Sequence, residues 1–142
     1  MPSLLFDKIW DQHRVMSLGG GYDLIYIDRH MMHELASDIA FTKLREGGHS
    51  VRRPDLSFAT HDHVVSTANG RHDNSWPESA NYITTLRENA VRHSIKLFDL
   101  GSPNQGIVHV VAPELGIALP GLTFVCGDSH TCTLGGVGAL SW

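Results

Sequence analysis

A chain of 142 residues with 42% hydrophobic and 18% charged residues has the composition of one soluble globular domain, not of a disordered segment. Its formal net charge of -4 and the absence of a basic run argue against a nucleic-acid-binding protein. No apolar run approaches the roughly 18 residues that cross a bilayer, and the start does not resemble a signal peptide, so no membrane contact and a cytoplasmic location are expected.

Strands and helices are predicted to alternate along the chain. Four segments are predicted to be strands, residues 22–27, 56–60, 95–100 and 122–126, and the last of them is a short apolar run typical of a buried strand. The predicted helices carry apolar residues three and four positions apart, in segments that begin near Ser3, Leu35 and Pro77. This alternation favours an α/β sheet.

Helix boundaries and loops are also predicted from local signals. Ser3 is expected to cap the first helix, whose apolar face would dock on the core. Ser75 and Glu78 resemble a capping box at the start of the third helix. Residues 67–76 are polar and turn-rich, which predicts a surface loop.

Polar clusters follow the predicted strands, where open α/β sheets place their ligand-binding groups. The clusters are residues 28–34, 61–63 and 127–131. In the last, Asp128, Ser129 and His130 set a carboxylate, a hydroxyl and an imidazole side by side, which is a candidate proton-transfer site.

The histidines admit more than one interpretation. Asp62 can hold a neighbouring imidazole in one tautomer and raise its basicity, although a structural hydrogen bond is the alternative. His109 interrupts an apolar run and is expected to be buried with a partner, because an unpaired buried polar group costs about 1–3 kcal/mol. A core histidine bonded to backbone is the alternative there. His30 and His33 could share a helix face, but no acid-rich third ligand supports zinc.

Six strings in the chain resemble the aconitase superfamily. They are residues 5–10, 26–30, 53–56, 62–63, 101–109 and 126–131. The resemblance covers essentially the whole chain and is nearest to the large subunits of the isopropylmalate dehydratase family. It implies an aconitase-like α/β/α layered sheet, with residues 1–142 forming only the N-terminal part of a catalytic subunit.

The resemblance implies a hydro-lyase that interconverts 2-isopropylmalate and 3-isopropylmalate through a cis-alkene in leucine biosynthesis. It implies a 4Fe-4S cluster in the full-length subunit and a heterodimer with a small subunit. Another 2-hydroxy-diacid, such as (R)-2-methylmalate or homoaconitate, remains open as the substrate. A cluster-free truncated paralogue that acts as a binding module is the alternative from another class, and a zinc hydrolase is a more distant one.

The resemblance also implies roles for residues of this chain. Asp62 and His63 match an acid–base pair near the leaving hydroxyl, and His109 matches a second active-site histidine. Asp128, Ser129 and His130 match a trio that hydrogen-bonds the substrate and the cluster-bound hydroxyl or water. His33, next to Glu34, occupies the place of a substrate-binding amide.

The two cysteines do not fit the cluster that the family implies. The family needs three cysteines, including a C-x-x-C pair, and neither Cys126 nor Cys132 lies in such a pair. The cluster ligands are therefore expected outside this chain, which alone should be inactive. Cys126 is expected to be a small buried residue at the end of a strand.

Overall fold

A computed structural model describes residues 3–142 of the chain. Its helices and strands are α1 (Leu5–His13), β1 (Arg14–Gly19), β2 (Tyr22–Ile25), β3 (Arg29–His33), α2 (Glu34–Glu46), β4 (Ser57–Thr60), α3 (Ser79–Arg92), β5 (Lys96–Phe98), α4 (Val108–Glu114), β6 (Thr123–Val125) and β7 (Leu140–Ser141). Two short 3-10 helices, Pro54–Leu56 and Thr131–Val137, complete the secondary structure. None of the helices in this part of the chain is long and apolar enough to cross a membrane.

Five strands form one parallel sheet in the order β5-β4-β3-β6-β7. One apolar cluster joins β3, β4 and β5 to α2 and α3, and its buried members are Met32, Phe41, Ala59, Leu86, Ala90 and Ile95. The other cluster includes residues of α4 and of the 3-10 helix 131–137, on the opposite face of the sheet. The sheet is therefore covered on both faces, which confirms the predicted α/β/α class.

The central strand, β3, was expected to be a polar segment after a strand, and that prediction is wrong. Met31 is fully buried in one apolar cluster and Met32 is 6% exposed in the other, so the strand contributes to both cores. Central parallel strands are buried on both faces and do not alternate in polarity. The neighbouring strands β4, β5 and β6 lie within the predicted runs.

The predicted strand 22–27 exists in part, as β2, but it lies outside the main sheet. It pairs antiparallel with β1, which the sequence did not indicate, through a turn at Gly20 and Gly21. The φ angles there are +62° and +85°, which glycine adopts without strain. Below the hairpin, Asp28 accepts from the Thr123 N–H at 2.9 Å and lies 2.6 Å from His13 Nε2, so the hairpin is tied to the sheet.

The helix boundaries differ from the predicted ones at two positions. The residue that caps α1 is Leu4, not Ser3, and the Leu4 N–H donates to the Asp7 carboxylate at 3.0 Å. The capping box at the start of α3 is also wrong, because α3 begins at Ser79, whose hydroxyl donates to the Trp76 carbonyl at 2.6 Å. The predicted surface loop 67–76 is confirmed, since it contains neither helix nor strand.

Helix α1 docks less completely than its apolar pattern predicts. Ile9 is buried, whereas Leu5 and Phe6 are more than half exposed. Phe6 instead stacks on Trp10, with ring centroids 5.4 Å apart.

Candidate active site

The candidate site lies where the order of the strands reverses. From β3 the chain continues outward to β4 and β5, and α4 then returns it to β6 on the other side of β3. Open α/β sheets bind ligands at such a switch point, outside the carboxyl ends of the strands. The segments after β3, β4 and β6 meet there, and they carry most of the residues that the sequence singled out.

Four of the predicted residues form one connected network. His63 Nδ1 hydrogen-bonds to the Asp62 carboxylate, and His63 Nε2 lies 2.9 Å from Asp128 Oδ2. The other oxygen of Asp128 lies 2.8 Å from His109 Nε2. Asp128 therefore joins two imidazoles that come from different segments of the chain.

Asp128 is held in its ionised form by these contacts. The hydrogen bond from His109 is the main cause of a lowered pKa. Burial acts in the opposite direction, and the hydrogen bond from the His130 N–H and the charges of His109 and His63 lower the pKa further. Together they lower the pKa of the Asp128 carboxyl to about 2. At neutral pH Asp128 is therefore only an acceptor, and both ring nitrogens that face it can hold protons.

His63 is suited to carry a proton near neutral pH. Burial alone would lower its pKa, but the hydrogen bond to Asp62 and the charges of Asp62, Asp128 and Glu34 outweigh burial and raise it. The side chain is 33% exposed, at a surface depression of about 330 Å³. His63 can therefore exchange a proton with a molecule in that depression.

His109 has the partner that its position in an apolar run required, and the partner is a carboxylate, not backbone. It lies in α4 with its side chain 11% exposed. Since Nε2 faces Asp128, its Nδ1 is the free ring nitrogen, and this buried atom has no partner among residues 3–142. Most buried polar atoms have a hydrogen-bond partner, but buried atoms of His61, His93 and Ser141 also lack one within residues 3–142, so the orphaned nitrogen alone does not mark a functional site.

Ser129 and His130 lie at the rim of the depression, outside the network. The His130 ring is 82% exposed, and its Nδ1 lies 2.9 Å from the Ser129 hydroxyl and 3.7 Å from Asp128. The His130 backbone, in contrast, belongs to the site, because its N–H donates to Asp128 at 2.7 Å. Both rim side chains are free to meet a ligand.

His33 lies beneath His63 and is 2% exposed. Its Nδ1 accepts from the Leu35 N–H at 3.3 Å, so its Nε2 donates to the Gly127 carbonyl at 3.1 Å. The rings of His33 and His63 stack with centroids 3.9 Å apart. With both nitrogens engaged, His33 supports the neighbouring ring in this conformation, and its assignment to substrate binding stays a prediction.

Glu34 is the site residue whose role the sequence did not indicate. It is 1% exposed and accepts hydrogen bonds from the backbone N–H groups of Asp62, His63 and Val64. These partners lie 28 to 30 positions away in the sequence, so no local pattern reports the contact. The one available signal is an acidic residue in the first turn of a helix that follows a strand.

His61, although it precedes Asp62, belongs to a different cluster. It is fully buried, and its Nε2 lies 3.1 Å from Asp99, which pairs with Arg87. Burial lowers the pKa of His61, and nearby charges only partly oppose this. Asp62 therefore orients one neighbouring imidazole, that of His63.

The site offers few free ligand atoms for a metal ion. The side-chain ligand atoms of His33, His63 and Asp128 lie within 4.8 Å of one another, as do those of His33, Glu34 and Asp62. These atoms already hydrogen-bond to one another or to backbone. His30 and His33 do not share a helix face, because both lie in strand β3.

The cysteines do not fit a cluster either. Cys126 is 8% exposed within an apolar cluster, which confirms its prediction as a small buried residue. Burial, together with the charges of Asp128 and Asp62, raises the pKa of its thiol to about 12, so it is not a ready thiolate ligand. Cys132 is a lone exposed thiol.

Comparison with known proteins identifies the family. The aconitase family (aconitate hydratase) matches residues 7–142. The 3-isopropylmalate dehydratase large subunit of Prochlorococcus marinus (strain MIT 9211) is 48% identical over 138 residues, which are 97% of this chain and 29% of that protein. The chain thus spans less than a third of the length of this relative. Because the family match covers nearly all of the sequence, the chain belongs to the aconitase family.

Proposed function

We propose that residues 1–142 form the N-terminal part of the large subunit of a hydro-lyase that interconverts 2-isopropylmalate and 3-isopropylmalate through a cis-alkene. The network Asp62–His63–Asp128–His109 at the switch point is the observation that carries the proposal. The 48% identity to an isopropylmalate dehydratase large subunit supports the substrate. Moving water between neighbouring carbons requires a proton donor at the leaving oxygen and a base for a carbon-bound proton.

The residues of the network have distinct proposed roles. The base that takes the carbon-bound proton is assigned to residues outside residues 1–142. His63 gives a proton to the leaving hydroxyl and takes it back on rehydration, since its pKa is raised and its ring lines the depression. Its Nε2 faces Asp128 in the structure, so the substrate hydroxyl would take the place of Asp128 at this nitrogen for the transfer. Asp62 orients its ring through Nδ1. Asp128, ionised, holds the rings of His63 and His109 in place.

Ser129, His130 and His109 also have proposed roles at the depression. Ser129 and His130 are exposed and offer a hydroxyl and an imidazole to a substrate hydroxyl or carboxylate. His109 reaches the depression from α4. We place this activity in the cytoplasm, as part of leucine biosynthesis.

The 4Fe-4S cluster that the family implies finds no ligand set in this chain. One thiol is buried with a pKa of about 12, and the other stands alone on the surface. The proposal therefore places the cluster on residues outside residues 1–142 and assigns neither cysteine a part in the reaction. The designation of the relative as a large subunit supports a small-subunit partner.

The coding sequence beyond Trp142 gives the first test. Continuation into a segment with a C-x-x-C pair, together with a neighbouring small-subunit gene, supports the enzyme. A stop codon at that point supports the alternative, a cluster-free binding module.

The second test is enzymatic. The complete polypeptide that carries this segment is co-expressed with the small subunit, reconstituted anaerobically with iron and sulfide, and assayed on isopropylmalate, (R)-2-methylmalate and homoaconitate. The highest kcat/KM is expected for isopropylmalate, and a preference for another diacid would overturn the substrate assignment. The 142-residue chain alone is expected to show no turnover. Measurable turnover would contradict the proposal that part of the active site lies outside residues 1–142.

A further inference from the structure

We propose that Glu34 is a positioning residue, which fixes the backbone of residues 62–64 and thereby holds the His63 ring against Asp128. The catalytic consequence rests on the proposed function. The structural part of the inference does not, and can be measured without turnover.

The geometry around Glu34 is that of a carboxylate bound by three successive amides. Oε2 accepts from the Asp62 N–H at 3.0 Å, and Oε1 accepts from the N–H groups of His63 and Val64 at 2.7 Å and 2.5 Å. Within residues 3–142, none of these three amides has a backbone acceptor. Three successive amides without ladder hydrogen bonds are thus bound by one side chain that is 1% exposed.

The position of Glu34 makes it a rigid support. It lies at the junction of β3 and α2, where its charge also complements the positive end of the helix. His33, the preceding residue, stacks on the His63 ring, while Glu34 binds the His63 amide. Two adjacent residues of a strand–helix junction therefore hold His63 from two sides, and such second contacts are what keep a reactive group in its working geometry.

A direct part in proton transfer does not suit Glu34. The depression is lined by Asp62, His63, Ile107, His109, Asp128 and His130. Glu34 is absent from that lining, and both of its oxygens are occupied by backbone donors. Its effect on the reaction therefore has to pass through the segment that it holds.

Conservative replacements cannot reproduce this arrangement. Glutamine has one acceptor oxygen, so its amide nitrogen would face at least one backbone N–H that already needs an acceptor. Aspartate keeps both oxygens but is one methylene shorter. Glu46, an exposed glutamate in the same helix that pairs with Lys43, gives a matched control for loss of charge.

Amide hydrogen exchange on the complete polypeptide that carries this segment, as wild type and as the E34Q and E46Q variants, tests the structural part. In the wild type, the amides of residues 62–64 should exchange at least about tenfold more slowly than those of the exposed loop residues 68–70, since hydrogen bonds to charged acceptors are strong. The E34Q variant should lose most of that protection, while its β4 amides should exchange as in the wild type. In the E46Q variant, the exchange of residues 62–64 should not change. Unprotected 62–64 amides in the wild type would overturn the inference even if E34Q failed to fold, and so would protection that survives in a folded E34Q.

Kinetics of the complete assembled enzyme test the consequence. E34Q is expected to lower kcat by about ten- to a hundredfold with KM within about threefold of wild type, because a displaced catalytic group costs rate more than binding. E46Q should match the wild type. An active wild type with an unchanged E34Q kcat would overturn the inference. The wild-type enzyme could dehydrate none of the three diacids while E34Q still removes the protection of the amides of residues 62–64. That combination would uphold the positioning role of Glu34 and refute the proposed function.

Discussion

Replacement of Asp128 by asparagine tests whether charge or packing holds the network together. The carboxylate accepts from His109 Nε2 and from the His130 N–H and lies 2.9 Å from His63 Nε2, and these contacts lower its pKa from 3.8 to about 2. At about 1.4 kcal/mol for each tenfold change in proton affinity, the lowering corresponds to about 2.5 kcal/mol. Solvent over the open side of the depression screens part of this, so D128N should reduce the free energy of unfolding by about 1 to 2 kcal/mol near neutral pH.

The pH dependence identifies the source of this stabilisation. Because the pKa of Asp128 is lower in the folded chain than in the unfolded chain, its contribution is fully present above about pH 4 and is lost as the pH falls towards 2. Urea unfolding of the wild type and D128N should therefore give a difference that shrinks between about pH 4 and pH 2.5. E46Q serves as the surface control, with an expected change below about 0.5 kcal/mol.

Two results would refute this reasoning. One is a carboxyl carbon of Asp128 that titrates near 4 in a carbon-13 NMR experiment. The other is a D128N destabilisation that stays constant from neutral pH to pH 2.5, which would assign the loss to packing or hydrogen-bond geometry and not to charge.

Three further predictions address the neighbouring groups. By proton NMR, the pKa of the His63 ring should lie above its ordinary 6.5, and the Asp62→Asn substitution should lower it. The raised pKa stabilises the fold below about pH 6.5, and this stabilisation is lost as the pH rises through the pKa of the folded state. An unchanged His63 titration midpoint in the variant would contradict the role of Asp62. Cys132 should react with a thiol reagent in the folded chain while Cys126 reacts only after unfolding, and equal labelling rates would contradict the burial of Cys126. The β1–β2 hairpin exposes several apolar side chains, among them Val15, Met16 and Leu18, and should promote self-association of the isolated chain, so Leu18→Lys should lower light scattering without moving the His63 titration.

The sequence predicts best those elements whose local pattern and tertiary environment agree. The strands β4, β5 and β6 lie within segments predicted to be strands, and β6, in the segment predicted to be buried, has Thr123 and Phe124 buried. β3 is not predictable in this way, because its sequence Arg-His-Met-Met-His has no β-branched residue and becomes a strand through its neighbours on both sides. The hairpin strand β1 is fully exposed, and so it carries no buried face to produce an alternating pattern.

The same distinction applies to the site. The contact between Asp62 and His63 joins adjacent residues and could be anticipated from the sequence. The requirement for a partner of His109 was also predictable, but its identity was not, because Asp128 lies 19 positions away on another segment. The support from His33 and Glu34 depends on β3 lying between β4 and β6, which no local pattern reports.

The position of the network in the sheet separates two tasks that the proposed reaction requires. Within residues 3–142, the contacts that order Asp62, His63, Asp128 and His109 come from the ends of β4 and β6, from α4, and from Glu34 at the junction of β3 and α2. Neither thiol of the chain is placed to bind a cluster, since Cys126 belongs to the core and Cys132 to the surface. The geometry of this network is therefore set by the packing of one parallel sheet, whereas the proposed cluster needs ligands from elsewhere. In the proposed enzyme, the strength of the acid–base groups and the placement of the metal would then be determined by different segments.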